Sequence, residues 1–214
     1  MLSLTRVSKK YGKRVILDNV TQTFETGVSL LIGPSGAGKS TLLRLCATAE
    51  KPSGGTLSWN KNSLPSARRA MRKALGYAPQ LVDLPNDLTG FEFMSHMAAL
   101  KGLGRGAGDQ ARILMSGLGL EASIDLPIAV YSGGMRRRLI FAQSLLGAPK
   151  LLALDEPTAE LDSETANIVA GMISKAAENA VVIVTTHLSD AFTAGGARTY
   201  RVADAQVTEQ SLTS

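Results

Sequence analysis

The sequence has little of several features that mark other classes of protein. A single cysteine, Cys46, excludes an intrachain disulfide and a cysteine-based metal cluster. No apolar run reaches the roughly 18 residues that a membrane-spanning helix needs, and the first residues do not form a charged-then-apolar signal segment. Charged residues make up 19% of the chain and hydrophobic residues 44%, which is typical of a folded globular protein. We therefore expect a globular chain that does not itself cross a membrane, folded in a reducing compartment, with Cys46 in the core.

The chain carries a modest excess of positive charge. Its 23 lysines and arginines against 18 aspartates and glutamates give a net charge of +5 and a pI near 9.5. A positive balance suits a phosphate ligand, a membrane surface or a nucleic acid, and does not choose among them. The basic clusters are most simply interpreted as solvated faces: Lys9-Lys10, Arg68-Arg69 and Arg136-Arg137-Arg138.

Short apolar segments alternate with segments of helical spacing along much of the chain. The predicted elements are strands at 28–32, 56–59, 150–154 and 180–186, and helices from 39 to near 52, over 68–75 and over 164–178. Continuous apolar strands separated by helices indicate a mostly parallel sheet that is flanked by helices on both faces.

Two further parts depart from that alternation. Short alternating segments at 5–8 and 15–20, joined by a turn, predict a small antiparallel β part. The stretch 87–120 is rich in methionine, leucine and glycine at helical spacing, and we interpret the region from about 81 to 145 as an inserted, mostly helical lobe. The expected organisation is one domain, 1–214, with a core of about 1–80 and 146–214 and a lobe of about 81–145.

The strongest chemical signal directly follows the predicted strand at 28–32. Residues 33–40 satisfy the phosphate-loop pattern G-x-x-x-x-G-K-[ST] and open a helix. Glycines let consecutive backbone N–H groups turn inward around an anion, and the helix N-terminus adds partial positive charge. Lys39 is expected to reach the β- and γ-phosphates, and the Ser40 hydroxyl to ligate Mg²⁺. The predicted loop is Gly33, Pro34, Ser35, Gly36, Ala37, Gly38, Lys39, Ser40, followed by Thr41.

Two acidic residues end the predicted strand at 150–154. Open α/β sheets bind ligands at the carboxyl ends of their strands, which is where Asp155 and Glu156 fall. Asp155 is expected to hold the Mg²⁺ shell through water, as a Walker-B aspartate does. Glu156 is expected to polarise the water that attacks the γ-phosphate, as a general base. Together with the loop, these residues predict an α/β P-loop NTPase fold, and they would fit many P-loop enzymes.

A second candidate anion-binding turn narrows the class of P-loop protein to which the chain could belong. Ser132, Gly133 and Gly134 directly precede a helical pattern. Because one nucleotide has only one triphosphate tail, a second turn of this kind suggests use in trans by another subunit. With the phosphate loop and the acidic pair, the turn resembles the nucleotide-binding domain of ATP-binding cassette transporters, over essentially the whole chain. Tyr131 and Met135 depart from the family's Leu-Ser-Gly-Gly-Gln signature, and Met135 cannot supply the amide hydrogen bonds of a glutamine.

The resemblance implies roles for further residues. Tyr11 lies where the family stacks an aromatic ring on adenine, and Gln80 resembles the glutamine that contacts Mg²⁺ and the attacking water. Asp162 resembles a residue of the loop that crosses the dimer interface, and His187 resembles the histidine that contacts the γ-phosphate. The implied catalytic residues are Glu156, His187, Lys39 and Gln80, and the implied metal ligands are Ser40, Gln80 and Asp155.

The resemblance also implies cofactors and partners. ATP and Mg²⁺ are expected to be held between two copies of the chain, each bound by Lys39 and Ser40 of one copy and by Ser132 and Gly134 of the other. An integral-membrane subunit is the expected partner, at the cytoplasmic face of the membrane, with no nucleic acid expected. The run from Tyr131 to Leu139 is similar to the branch paired with ABC-2-type membrane subunits, which favours export.

Two alternatives remain open at this stage. A cassette ATPase that acts on DNA or ribosomes would share the nucleotide site, but such proteins usually carry long coiled coils or two cassettes, and this sequence has neither. A P-loop kinase would need an acceptor pocket and would have no use for the turn at 132–134.

Overall fold

The computed structural model describes residues 1–186 and 196–210. Its strands are β1 (Leu2–Tyr11), β2 (Arg14–Phe24), β3 (Gly27–Ile32), β4 (Gly54–Trp59), β5 (Asn62–Ser63), β6 (Leu75–Ala78), β7 (Leu151–Asp155), β8 (Val181–Thr185), β9 (Arg198–Ala203) and β10 (Gln206–Gln210). Its α-helices are α1 (Lys39–Cys46), α2 (Arg68–Ala74), α3 (Gly90–Leu100), α4 (Ala107–Gly117), α5 (Gly133–Ser144) and α6 (Ser163–Ala177).

The main sheet has the order β10-β9-β3-β8-β7-β6 within the described residues. Its strands are parallel from β9 to β6, and β10 alone runs antiparallel at the edge. Helix α1 contacts β7 and β8, whereas α6 contacts β3 and β8. The prediction of an α/β fold with a mostly parallel sheet and helices on both faces is therefore confirmed.

The small antiparallel part is a second sheet of order β2-β1-β4-β5. Its central pairing runs from Leu2 opposite Phe24 to Tyr11 opposite Arg14, so the predicted turn is the tight connection between β1 and β2. This second sheet places β2 beside the phosphate loop, and the candidate functional site depends on this proximity.

The main sheet separates two hydrophobic cores, because successive side chains of a strand point to opposite faces of the sheet. In β7, Leu151 and Ala153 point into the core shared with the antiparallel sheet and α1. Leu152 and Leu154 point into the other core, which continues into the helices between β6 and β7. Cys46 is fully buried in the first core, as predicted, and this burial raises the pKa of its thiol to about 12.

The chain between β6 and β7 forms only helices and loops. It contains α3, α4, two short 3₁₀ turns and α5, with α4 packed against both α3 and α5. The first of these helices begins with a capping box, in which Thr89 accepts from the Glu92 N–H and Glu92 accepts from the Thr89 N–H. The division into a core and an inserted lobe at 81–145 stays a prediction. No helix in the described part of the chain combines the length and apolar character of a membrane span.

Two local expectations differ from the structure. Helix α1 ends at Cys46 and not near Pro52, because Thr48 adopts a left-handed φ of 53° and the Arg44 carbonyl accepts from the N–H groups of Ala49 and Glu50. The hairpin of β9 and β10 was not predicted. Its strand β9 joins the sheet beside β3, which closes one side of the phosphate loop.

Candidate functional site

The phosphate loop needs glycine at positions where other residues would be strained or would collide. Gly33, Gly36 and Gly38 have φ values of 144°, 74° and 107°. A Cβ atom at Gly33 would collide with the Val202 carbonyl of β9, and one at Gly38 would lie 2.8 Å from Ile16 Cγ2 of β2. The loop is therefore confined between β9 and β2, and its shape is set by both sheets.

The start of helix α1 is built to receive negative charge. Its N-cap is Gly38, and among the described residues no side chain caps it, so the N–H groups of the first turn are available to a phosphate. The Lys39 ammonium donates to the carbonyls of Gly33 and Pro34 at 2.7 and 3.0 Å, which holds it across the loop. This geometry keeps a cation directly over the anion-binding turn.

Asp155 and Ser40 supply an oxygen donor set at the end of β7. The Ser40 hydroxyl donates to Asp155 Oδ1 at 3.2 Å, and the Thr185 hydroxyl donates to the same oxygen at 2.7 Å. Asp155 is 6% exposed, and no described lysine or arginine forms an ion pair with it. Mg²⁺ prefers one or two carboxylates, neutral oxygens and substrate phosphates to an all-protein cage. One buried carboxylate, one hydroxyl and the amide of Gln80 nearby fit that requirement.

Glu156 lies beside this donor set in an unusual backbone conformation. Its φ is 54°, in the left-handed region that non-glycine residues rarely adopt, and such conformations cluster at functional sites. Its N–H donates to the carbonyl and the hydroxyl of Thr185 at 3.1 and 2.9 Å, and its carbonyl accepts from Arg137 at 3.4 Å. The neighbouring strand β8 and helix α5 thus fix the direction in which the carboxylate leaves β7.

These groups surround one cavity of about 450 Å³, a size usual for small-molecule sites. Residues predicted from the sequence that line it are Tyr11, Ser35, Gly36, Gly38, Lys39, Ser40, Thr41, Gln80, Asp155 and Glu156. Sequence reasoning missed Arg14 and Ile16, which reach the cavity from β2. A signal was available, since both follow Tyr11 on the next strand of a predicted hairpin.

Tyr11 is held at the cavity mouth by its hydroxyl. That hydroxyl donates to Glu50 at 2.6 Å, and Glu50 also pairs with Lys9 and Arg44 at 3.5 Å each. Burial alone would raise the pKa of the Glu50 carboxyl, but the Tyr11 hydrogen bond and the two cations outweigh it, so the pKa lies below its usual value. The residue is 42% exposed, and the Lys9 ammonium lies 4.9 Å from the centroid of its ring.

Tyr11→Ala is expected to weaken ATP binding about tenfold, because base–aromatic stacking contributes about 1–3 kcal/mol. Inorganic triphosphate, which lacks the base, is expected to bind the variant and the unaltered chain equally, and Tyr11→Phe is expected to retain most of the ATP affinity. Isothermal titration calorimetry measures all of these affinities. An equal loss for ATP and triphosphate would contradict an adenine-stacking role.

The turn at Ser132–Gly134 lies outside this cavity. Ser132 is the N-cap of α5, where its hydroxyl accepts from the Met135 N–H and its own N–H lies 3.5 Å from Met135 Sδ. Ser132 and Gly133 are exposed, and Gly133 lines a separate cavity of about 200 Å³ that also contacts Gln80. Met135 therefore closes the turn through its sulfur, in the place where the resemblance implies a glutamine.

The expectation of a solvated face at Arg136–Arg138 is wrong. All three side chains are half-buried and each donates to backbone carbonyls. Arg136 bonds to the carbonyl of Tyr131, Arg138 to that of Leu118, and Arg137 pairs with Glu160 at 3.1 Å. Lys9 is likewise held by the Lys51 carbonyl and Glu50. The three arginines thus connect α5 to neighbouring segments of the chain, and Lys9 connects β1 to the segment after α1.

A further predicted site residue, Asp162, does not line the cavity. Asp162 is the N-cap of α6 and accepts from the N–H and the hydroxyl of Thr165 at 2.9 Å each, which lowers the pKa of its carboxyl. It therefore has a structural role in its own chain. His187 lies outside the described residues.

Known proteins are similar to this chain in both sequence and fold. The chain matches the ABC transporter family over residues 17–159. It is 35% identical over 192 residues to the Nod factor export ATP-binding protein I of Sinorhizobium fredii, an alignment that covers 88% of this chain and 56% of that protein. It is 36% identical over 164 residues to the daunorubicin/doxorubicin resistance ATP-binding protein DrrA of Streptomyces peucetius, with 75% and 50% coverage. The chain thus spans about half the length of these two relatives.

Solved structures of known proteins also superpose on this chain. The dimeric structure of MJ0796, a bacterial ABC transporter cassette, superposes with a TM-score of 0.89, at 26% identity and with 100% of both chains covered. A post-hydrolysis state of MJ0796 bound to ADP and Pi superposes with a TM-score of 0.87 at 25% identity, also with 100% of both chains covered. Because the family match includes most of the chain and the cassette fold includes all of it, the chain belongs to the ABC transporter family and has the fold of its ATP-binding cassettes.

Proposed function

We propose that this chain binds ATP with Mg²⁺ and hydrolyses it to drive transport by a separate membrane subunit. The observation that carries the proposal is the convergence of Lys39, Ser40, Asp155 and Glu156 on one cavity from β7 and the loop after β3. The relative from Sinorhizobium fredii is an export ATP-binding protein, and a neighbouring structure holds ADP and Pi.

The residues of the cavity have separate roles in the proposed reaction. Lys39 and the first-turn N–H groups of α1 bind the β- and γ-phosphates. Ser40, Asp155 and Gln80 hold Mg²⁺, which when bound neutralises phosphate charge and polarises the γ-phosphate. Glu156 accepts a proton from the attacking water, since it lines the same cavity as the donor set. His187 is proposed to contact the γ-phosphate, in line with the sequence expectation.

Two copies of the chain complete each site. Ser132 and Gly134 are exposed or half-buried on the surface and reach no part of their own chain's nucleotide cavity. Two ATP molecules would therefore lie between two chains, each completed by the partner's turn at Ser132–Gly134 and the neighbouring Asp162 segment. The neighbouring structure of MJ0796 is dimeric. ATP then stabilises the closed dimer because the partner's donors neutralise phosphate charge that an open site leaves unpaired.

The membrane subunit is expected to contact the apolar segment after β6. Leu81 is 85% exposed, and the adjacent Val82 is exposed as well. Exposed apolar side chains in one region are typical of an interaction surface. We place the chain at the cytoplasmic face of the membrane through this contact. Export is the proposed direction, because both relatives described above carry export or drug-resistance names.

Co-purification tests this proposal. The affinity-tagged chain, extracted from its own cells in mild detergent, is expected to retain an integral-membrane protein. Leu81→Asp is expected to lose that protein, because a charge would be placed in an apolar contact. Ile168→Asp on α6, where the residue is 42% exposed, is the matched control and is expected to retain it. Recovery of ribosomes or DNA in place of a membrane protein, with ATP hydrolysis stimulated by them, would contradict the transport role.

A further inference from the structure

A basic groove lies between helix α2 and the end of helix α3. Its volume is about 710 Å³, and it shares no residue with the nucleotide cavity. Its lining residues are Pro65, Ser66, Arg68, Arg69, Arg72, Lys73, Ala99, Leu100, Lys101 and Gly102. Five of these are cationic and none is acidic, so the groove is a concentrated positive surface.

Helix α2 holds four of these cations against its own stability. Arg68 and Arg72, like Arg69 and Lys73, are four residues apart, and like charges at this spacing repel each other on a helix. The first turn contains no acidic residue and begins with two arginines, where the helix dipole favours negative charge. Arg72 and Lys73 in the last turn suit the dipole, but the two arginines of the first turn break a local rule, and such departures occur at functional or strained sites.

Within the part of the chain that the structure describes, these five cations have no acidic partner. The buried Arg68 Nε has no hydrogen-bond partner within the described part of the chain, and an unsatisfied buried donor is costly. Arg72 is held in place by the hydroxyl and carbonyl of Thr48 at 3.0 and 3.2 Å. The groove therefore holds the Arg72 side chain in place and contains one Arg68 donor without a partner in the described residues.

Lys101 adds a cation from the opposite wall. Its ammonium donates to the Leu146 carbonyl at 2.9 Å, and burial lowers its pKa to about 8. This lowering has burial as its cause and no acidic neighbour to oppose it. An anion in the groove would relieve the desolvation of Lys101 and the repulsion along α2 at once.

We propose that the basic groove binds a phosphate-bearing anion with at least two negative charges. Guanidinium groups match phosphate oxygens through paired, charge-assisted hydrogen bonds, and the groove offers three of them beside two ammonium groups. Leu100, 72% exposed at the rim, offers an apolar contact beside the charged floor. Phosphate of this kind is carried both by anionic phospholipid headgroups and by soluble phosphate compounds.

The test compares two doubly substituted full-length chains. Arg69→Gln/Lys73→Gln removes two exposed groove cations, and Lys61→Gln/Lys175→Gln removes two exposed lysines that line no part of the groove. Flotation with vesicles of phosphatidic acid in phosphatidylcholine tests the headgroup. Calorimetry with inorganic pyrophosphate, in the presence of saturating Mg²⁺ and ADP to fill the phosphate loop, tests the soluble source. Thermal unfolding confirms that both variants remain folded.

The unaltered chain and the control are expected to bind at least one probe, and the groove variant to bind it at least about tenfold more weakly. Arg69→Lys/Lys73→Arg, which keeps both charges, is expected to restore binding. The probe that binds identifies the source of the phosphate. Binding of neither probe, or equal weakening in the groove variant and the control, would overturn the proposal. The proposal would also be overturned if the groove variant bound both probes normally but lost the membrane partner, because the groove would then bind an acidic segment of that protein.

Discussion

Glu156→Gln is expected to lower ATP hydrolysis by about 10²- to 10⁴-fold, the usual contribution of a general base, while ATP binding is retained. Glutamine has nearly the same shape but cannot accept a proton from water. The backbone at Glu156 is held by Thr185 and Arg137 through main-chain atoms, which the substitution leaves in place. The loss therefore reports on chemistry and not on folding.

The same variant is expected to accumulate as a dimer when ATP and Mg²⁺ are present. In the proposed dimer the γ-phosphate joins the two chains and hydrolysis removes it, so blocking hydrolysis is expected to leave the closed dimer in place. Size-exclusion chromatography with and without ATP measures the shift, and a phosphate-release assay measures turnover. Glu164→Gln, in the exposed first turn of α6, is the matched control and is expected to keep full turnover and to show no trapped dimer. Full turnover in Glu156→Gln would refute its assignment as the base.

Lys39→Ala is expected to weaken ATP binding on the order of 10- to 100-fold, because a hydrogen bond to a charged group contributes about 1.5–3 kcal/mol. The Lys39 ammonium lies across the anion-binding turn, in contact with the carbonyls of Gly33 and Pro34. Its removal leaves the negative charge of the triphosphate without its nearest cation. Hydrolysis is expected to fall further than binding, since charge on the γ-phosphate grows during transfer.

Equilibrium titration with a fluorescent ATP analogue measures the affinity of Lys39→Ala, and calorimetric unfolding measures its stability. The folded state is expected to be as stable as that of the unaltered chain, because the lysine makes no contact with either hydrophobic core. Lys175→Ala on the exposed side of α6 removes the same charge elsewhere and is expected to bind ATP normally. Unchanged ATP affinity in Lys39→Ala would show that the loop does not bind the triphosphate.

The elements nearest to the chemistry could be predicted from the sequence because their signals are local. The strand β3 begins one residue before its predicted start and ends where predicted, and α1 begins at Lys39 as predicted. An apolar run, a glycine-rich turn and a change to helical spacing lie within one short segment, so no distant partner is needed. The end of α1 could not be predicted, since it depends on a left-handed Thr48 in place of a glycine or proline.

The strand β9, near one edge of the main sheet, could not be predicted from the sequence for a different reason. Strand β9 reads as Arg-Thr-Tyr-Arg-Val-Ala, which has no clear alternation to separate it from a loop. It becomes a strand because β3 offers it a parallel partner from Ser29 to Ile32. Pairing with a distant segment is decided by the whole sheet, and it also explains why Gly33 cannot carry a side chain.

The sequence by itself determined which residues are proposed to carry the chemistry: the loop at 33–40, the acidic pair at Asp155 and Glu156, and the serine–glycine turn at 132–134. These are short motifs whose chemical requirements are met within a few consecutive residues. Only the tertiary structure decided how they are oriented and separated. Thr185 fixes Asp155 and Glu156 from the next strand, and Glu50 holds Tyr11 from beyond α1. Packing also leaves Ser132–Gly134 away from its own nucleotide cavity, because α5 is held by Arg136–Arg138 against distant segments, and such contacts arise only when the chain is folded.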